Sequence, residues 1–130
     1  MIDFISLSQL YINHFERRLK GRYICLKHID PILFDYEKID WVEVSGSSEK
    51  GKKIPLIKIG NGPKKVLAWS QMHGNESTTT KALFDLFAFL AQKEVFQDEI
   101  ATFFSTFTIF AIPILNPMER RFIHEKMRIA

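Results

Sequence analysis

The pattern that most constrains the fold is a helical repeat set between two short apolar runs. Residues 66–69 are apolar in succession, as in a strand that is covered on both faces. Residues 76–92 change to helical spacing, with apolar side chains at i, i+3, i+4 and i+7: Leu83, Leu86, Phe87 and Leu90. A charged connector at residues 93–99 leads to a second apolar run, which peaks at residues 107–112. This order predicts a βαβ crossover in an α/β domain, with a mixed, largely parallel sheet and flanking helices. We expect the strand at 66–69 to be central and the helix to be buried on two sides.

Weaker patterns add a helix and a hairpin. Helical spacing of apolar residues predicts a short amphipathic helix over residues 8–20, which Gly21 would end. Residues 39–45 and 54–59 alternate apolar and polar side chains around a turn of Gly, Ser and Lys, which predicts a β-hairpin. Residues 100–118 carry no charged side chain and are nearly long enough for a membrane helix. Their Thr, Ser, Pro and Asn residues interrupt the apolar run, and their Phe/Thr/Ile content favours a strand. We therefore predict no membrane partner.

Composition fits one globular unit and excludes several partners. The chain has 130 residues, 46% of them hydrophobic, which is the size of a single domain. A net charge of +3 with dispersed basic residues gives no support for nucleic-acid binding. Cys25 has no second cysteine to pair with, so no disulfide framework forms. Asp3 and the lack of a basic segment before an apolar block argue against a secretory signal, so we expect a cytoplasmic location.

A polar segment follows the first apolar run, where sheets of this class bind ligands. His73 and Glu76 are three residues apart across the predicted strand-to-helix junction, and Gly74 between them allows a sharp bend. An imidazole and a carboxylate that converge on one point are ordinary zinc ligands. On these residues alone there is an alternative: a chance H-x-x-E, with Asn75 as a helix cap and Glu76 as a first-turn acid.

The longer stretch around this motif resembles the N-terminal part of the zinc carboxypeptidase family. The resemblance spans residues 41–117 and is most specific across residues 69–86, where H-G-N-E stands in a strand–turn–helix context. It implies an incomplete zinc-carboxypeptidase-like (phosphorylase/hydrolase-like) fold, with residues 1–117 as the N-terminal part of the catalytic domain. It also implies that His73 and Glu76 are two ligands of a catalytic Zn²⁺ and that the C-terminus of a peptide is the substrate.

After Asn116-Pro117 the chain departs from the family's pattern. The family continues with Asp-Gly and later supplies a second His ligand, a general-base Glu and an Asn-Arg pair that holds the substrate carboxylate, so we expect no catalytic residue in this chain. We interpret residues 118–130 as a divergent tail on a truncated domain. Restoring one base before the codon of Met118 makes the next codon in that frame a Gly codon. At His124 and Glu125 the same frame gives either Arg or a stop, so an open frame has an Arg there, as the family's pattern requires. Our hypothesis is therefore a frameshifted tail, and true divergence is the alternative.

Two classes of function follow from the resemblance. The first is a zinc-dependent metallocarboxypeptidase, a hydrolase that removes C-terminal residues from peptides, here truncated and inactive alone. The second is a non-catalytic remnant that forms a homo-oligomer through an exposed apolar sheet edge or binds another partner.

Overall fold

The computed structural model describes residues 3–117, so the predicted tail at 118–130 lies outside the described residues. The elements run in this order: α1 (Phe4–His14), α2 (Leu26–Glu37), β1 (Val42–Ser47), β2 (Lys53–Ile59), β3 (Lys64–Trp69), α3 (Thr78–Ala91), α4 (Gln97–Thr106) and β4 (Phe107–Ile112). In this part of the chain, no helix has both the length and the apolar content that a membrane crossing requires.

The strands form one mixed sheet in the order β1-β2-β4-β3. β1 with β2 and β2 with β4 run antiparallel, while β3 and β4 are parallel neighbours connected through α3 and α4. The predicted α/β class and the βαβ crossover are confirmed, although only one strand pair of the described sheet is parallel. The prediction that the strand at 66–69 is central is wrong for the described sheet: β4 inserts between β2 and β3 and takes the inner position.

The predicted hairpin is confirmed. β1 and β2 pair antiparallel from Val42–Ile57 to Ser47–Lys53, with a shift of register after Val44. The hairpin is joined to the rest of the sheet through β2, whose last three residues pair with β4.

The first helix differs in its bounds from the prediction of residues 8–20. It begins earlier because the carboxylate of Asp3 accepts a hydrogen bond from the backbone N–H of Ser6 at 2.9 Å and so caps the helix. It ends at His14 because Phe15 has an extended backbone. The predicted helix included the basic residues up to residue 20, whereas in the structure these residues belong to the connection between α1 and α2.

The second helix, α2, was not predicted. Pro31 lies inside it, and a proline in this position removes one N–H from the helix and favours a turn in a sequence-based reading. His28 stands in the first turn of α2, where its Nδ1 accepts a hydrogen bond from the N–H of Cys25 at 3.0 Å. One face of the helix is buried, through Ile29, Ile32, Leu33 and Tyr36.

The fourth helix, α4, lies where the sequence predicted a charged connector and the start of a strand. Phe96 precedes it with a left-handed backbone (φ 54°), and Asp98 and Glu99 stand in its first turn, where the helix dipole favours acids. The acidic residues of the connector therefore begin a helix. The strand starts only at Phe107, so the strand prediction for residues 107–112 is confirmed.

The core lies between the helices and one face of the sheet. Phe84 and Phe87 of α3 are fully buried, and they share the core with Ile57, Ile59, Ile109 and Ala111 of the sheet. On its other side α3 faces α1 across an apolar groove of about 550 Å³. The burial of α3 on two sides is thus only partial, because Leu86 beside this groove stays exposed.

A close backbone contact fixes the turn between β2 and β3. Gly60 has a left-handed backbone (φ 81°), and a Cβ added at Gly62 would overlap the backbone of Thr106 and Phe107. The N–H of Gly62 donates to the carbonyl oxygen of Phe107 at 3.1 Å. The turn therefore packs directly on the junction of α4 and β4, at the end of the sheet opposite to His73 and Glu76.

Candidate metal centre

The segment between β3 and α3 lies at the carboxyl ends of both parallel strands. The N–H of Ser70 donates to the carbonyl oxygen of Ile112 at 3.0 Å, which continues the pairing of β3 with β4. Beyond β4, the N–H of Asn116 donates to the carbonyl oxygen of Gln71 at 2.9 Å. We call residues 71–77 the ligand segment, because it carries both predicted metal ligands.

His73 and Glu76 meet as the sequence predicted. Nδ1 of His73 lies 3.3 Å from Oε2 of Glu76, and the two side chains are 59% and 64% exposed. With Zn–N and Zn–O bonds of about 2.0–2.2 Å, two ligands of a tetrahedral zinc ion lie about 3.4 Å apart. The observed separation therefore fits two neighbouring ligands of one zinc ion, and it equally allows a direct hydrogen bond from a protonated Nδ1.

The structure does not show the helix cap and the first-turn acid that the alternative interpretation of this motif assigned to Asn75 and Glu76. The N-cap of α3 is Ser77, so Asn75 does not cap the helix, and the first turn of α3 contains no acidic residue. Glu76 precedes the helix, with its carboxylate beside His73. The cap at Asn75 and the first-turn acid of that alternative are therefore not observed.

The described residues bring together two candidate ligands and no third. Across residues 3–117, no group of three His, Cys, Asp or Glu side chains could hold one metal ion. Catalytic zinc sites use three protein ligands and a water, so this part of the chain holds an incomplete set. His124 and Glu125 lie outside the described residues.

Cys25 and the other two histidines of the described residues, His14 and His28, lie in separate surroundings. Sγ of Cys25 lies 3.4 Å from Nδ1 of His28 at the start of α2. His14, at the end of α1, lies 3.2 Å from the carboxylate of Glu94. These pairs each join two groups, and neither adds a ligand to His73 and Glu76.

Buried polar side chains support the ligand segment, and the sequence analysis missed them. Ser70, Gln71, Ser77 and Thr80 are four of the five buried polar residues in the described part of the chain. The hydroxyls of Ser70 and Thr80 are 2.8 Å apart, and Oγ1 of Thr80 lies 3.0 Å from the carbonyl oxygen of Pro113. Uncharged polar residues carry no periodic signal, so only the assembled fold reveals this network.

Comparison with known proteins identifies the family of this chain. The model of the zinc carboxypeptidase family matches residues 26–118. Because this match covers more than half of the chain, the protein belongs to the zinc carboxypeptidase family. No curated protein sequence matches the chain.

Two solved structures share the fold. A metallo-carboxypeptidase from Burkholderia cenocepacia is 19% identical with a TM-score of 0.62, over 71% of this chain and 26% of that chain. A metallo-carboxypeptidase from Pseudomonas aeruginosa, in complex with (2-guanidinoethylmercapto)succinic acid, is 16% identical with a TM-score of 0.56, over 73% of this chain and 26% of that chain. This chain thus spans about a quarter of the length of these proteins, and the likeness shows the fold.

Proposed function

We propose that this chain carries part of the zinc site of a metallocarboxypeptidase, with His73 and Glu76 as ligands of Zn²⁺. The observation that carries the proposal is the 3.3 Å approach of His73 Nδ1 to Glu76 Oε2. The family match supports it, because residues 26–118 include both side chains.

The proposed activity is hydrolysis of the last peptide bond of a peptide substrate. In such an enzyme, bound Zn²⁺ polarises the scissile carbonyl and activates a water. Neutral His73 would offer the lone pair of Nδ1 and ionised Glu76 would offer Oε2, both from exposed side chains that an ion can reach from solvent. The described residues offer no third ligand beside this pair. In this proposal the third ligand comes from outside residues 3–117, and so does the general base that the family resemblance implies.

Zinc titration calorimetry tests the ligand assignment directly. We expect wild-type protein to bind Zn²⁺ and H73A and E76Q each to weaken binding at least about tenfold, because each removes one of two ligands. H14A is the matched control, since His14 also pairs with a carboxylate, that of Glu94, but away from the ligand segment. Equal affinities in all four proteins would refute the assignment.

Activity needs a separate measurement. Release of C-terminal amino acids from short peptides should depend on His73 and disappear with a chelator if the chain acts as a peptidase. Chelator-insensitive release would refute a zinc-dependent reaction. Zinc binding without any release would retain the metal site and leave the hydrolase proposal without support.

A second proposal is self-association through the sheet. Leu67 and Trp69 of β3 lie beside Phe110 and Ile112 of β4, and these residues form what we call the outer sheet face, opposite the core. Leu67 is 62% exposed and Trp69 is 47% exposed, at the edge of the described sheet. Exposed apolar surface on an edge strand favours pairing with a second copy.

A further inference from the structure

Gln71 uses its whole side-chain amide inside the protein. The residue is 3% exposed, and its Nε2 donates to the carbonyl oxygens of Ile24 and Gly74, both at 3.0 Å. Its Oε1 accepts a hydrogen bond from Oγ1 of Thr80 at 2.7 Å. Because two carbonyls face one end of the amide and a hydroxyl faces the other, only one orientation of the amide satisfies all the groups.

The backbone of Ile24 is bonded to both ends of the ligand segment. Its carbonyl oxygen accepts from Gln71, two residues before His73, and its N–H donates to Oγ of Ser77 at 2.9 Å, one residue after Glu76. Ile24 is fully buried and lies two residues before α2 begins. The ligand segment is therefore closed into a loop by one residue that is distant in sequence.

The backbone of Gln71 has a conformation that directs the chain into this loop. Its φ is 47°, in the left-handed region, which is uncommon for a residue other than glycine. Backbone of this kind persists where the surrounding contacts over-determine it, and it concentrates at functional sites. Inside the loop, the N–H of Glu76 donates to the carbonyl oxygen of His73 at 3.2 Å.

We propose that Gln71 is a positioning residue, which holds His73 and Glu76 at the separation of two ligands of one metal ion by clamping the ligand segment to Ile24. This inference rests on the metal site proposed above. Gln71 touches neither ligand side chain, so it acts through the carbonyl of Gly74, which lies between them. Glutamate could not donate to two carbonyls, and methionine could neither donate nor accept in their place. The cavity beside Gln71 and Gly74 has a volume of about 10 Å³, so there is little room for a water to replace the amide.

The test compares Q71M with T108V in zinc titrations of the whole chain. Thr108 is also buried, and its Oγ1 donates to the carbonyl of Gly62 at 2.7 Å, at the opposite end of the sheet. We expect Q71M to weaken zinc binding about 10–100-fold, as for losses of groups that orient metal ligands, and T108V to change it by less than about twofold. Equal affinities of Q71M and wild type would overturn the proposal. If Q71M does not fold, S77A removes the other end of the clamp and should weaken binding several-fold, while wild-type affinity in S77A would overturn it.

A metal-free measurement separates this proposal from the ligand assignment. In hydrogen exchange of metal-free protein, the amides of Ile24 and Glu76 should exchange at least about tenfold faster in Q71M than in T108V, compared at equal global stability. If wild type shows no zinc binding that depends on His73, the metal site fails and exchange alone decides the clamp. Unchanged exchange of both amides in Q71M would then refute the positioning role.

Discussion

The side-chain oxygen of Gln71 accepts a hydrogen bond from the hydroxyl of Thr80 at 2.7 Å, and this contact joins the end of β3 to the first turns of α3. Both residues are buried. The exposed His73 and Glu76 lie between them in sequence, so the two proposed ligands, which face solvent, lie above a buried polar support. Rigid support of this kind is what a metal site requires of the residues around its ligands.

Substitution of Gly62 should show how closely the β2–β3 turn packs. In G62A, the added methyl group overlaps the backbone of Thr106 and Phe107, so we expect a loss of about 1–3 kcal/mol in the free energy of unfolding. G46A is the matched control: nothing lies within 4 Å of a Cβ at Gly46, and a change within about 0.5 kcal/mol is expected. Urea denaturation measures both, and a G62A protein as stable as G46A would contradict the contact.

A charge on the outer sheet face should prevent self-association. In L67K the lysine replaces a residue that is 62% exposed on the edge strand, so we expect the protein to sediment as a monomer at concentrations where wild type forms dimers or larger species. F34K is the control, because Phe34 on α2 is equally apolar and 60% exposed, away from this face. Wild type that stays monomeric, or an equal effect of F34K, would count against pairing through β3.

Tyr36 should make the protein less stable in alkali. The residue is 6% exposed, stacks on Trp41 at a centroid distance of 5.5 Å, and burial raises the pKa of its hydroxyl well above the usual value. Below about pH 10 the hydroxyl keeps its proton in both the folded and the unfolded chain. Above that pH the unfolded chain loses the proton first, so the stability that depends on neutral Tyr36 falls as pH rises.

The measurement is urea denaturation at several pH values around 10. Y36F should lose less stability than wild type across this range, by up to about 1.4 kcal/mol per pH unit. Y11F is the control, because Tyr11 is largely exposed and should leave the slope unchanged. Parallel curves for Y36F and wild type would show that Tyr36 does not cause the alkaline loss.

The sequence predicted the elements whose periodicity is uninterrupted. The hairpin, α3 and β4 carry clear repeats, and together with the crossover rule they define the α/β class. α4 was missed because only Ser105 and Thr106 separate its Phe103 and Phe104 from the strand that starts at Phe107, and no charged residue marks the boundary. α2 was missed because Pro31 favours a turn and the cap at Cys25 depends on a side chain three residues later.

The part of the candidate site that lies within one short stretch of sequence was predicted. The three-residue spacing of His73 and Glu76 was sufficient to bring them together, since both lie in one short connection. Gln71 and Ser77 could not be recognised, because their partner Ile24 is 47 and 53 residues away in the chain. Hydrogen bonds to backbone groups that are distant in the chain produce no recognisable pattern in a single sequence.

The bonds from Ile24 also determine which parts of the chain open together. Ile24, two residues before α2, and the ligand segment cannot separate without breaking the hydrogen bonds to Gln71 and Ser77, so we expect them to open as one cooperative unit in native-state exchange. A ligand that stabilises His73 and Glu76 would therefore reduce the opening of the chain at Ile24 as well. Metal occupancy would then be recorded in a segment that contributes no ligand and precedes Gln71 and Ser77 by 47 and 53 residues.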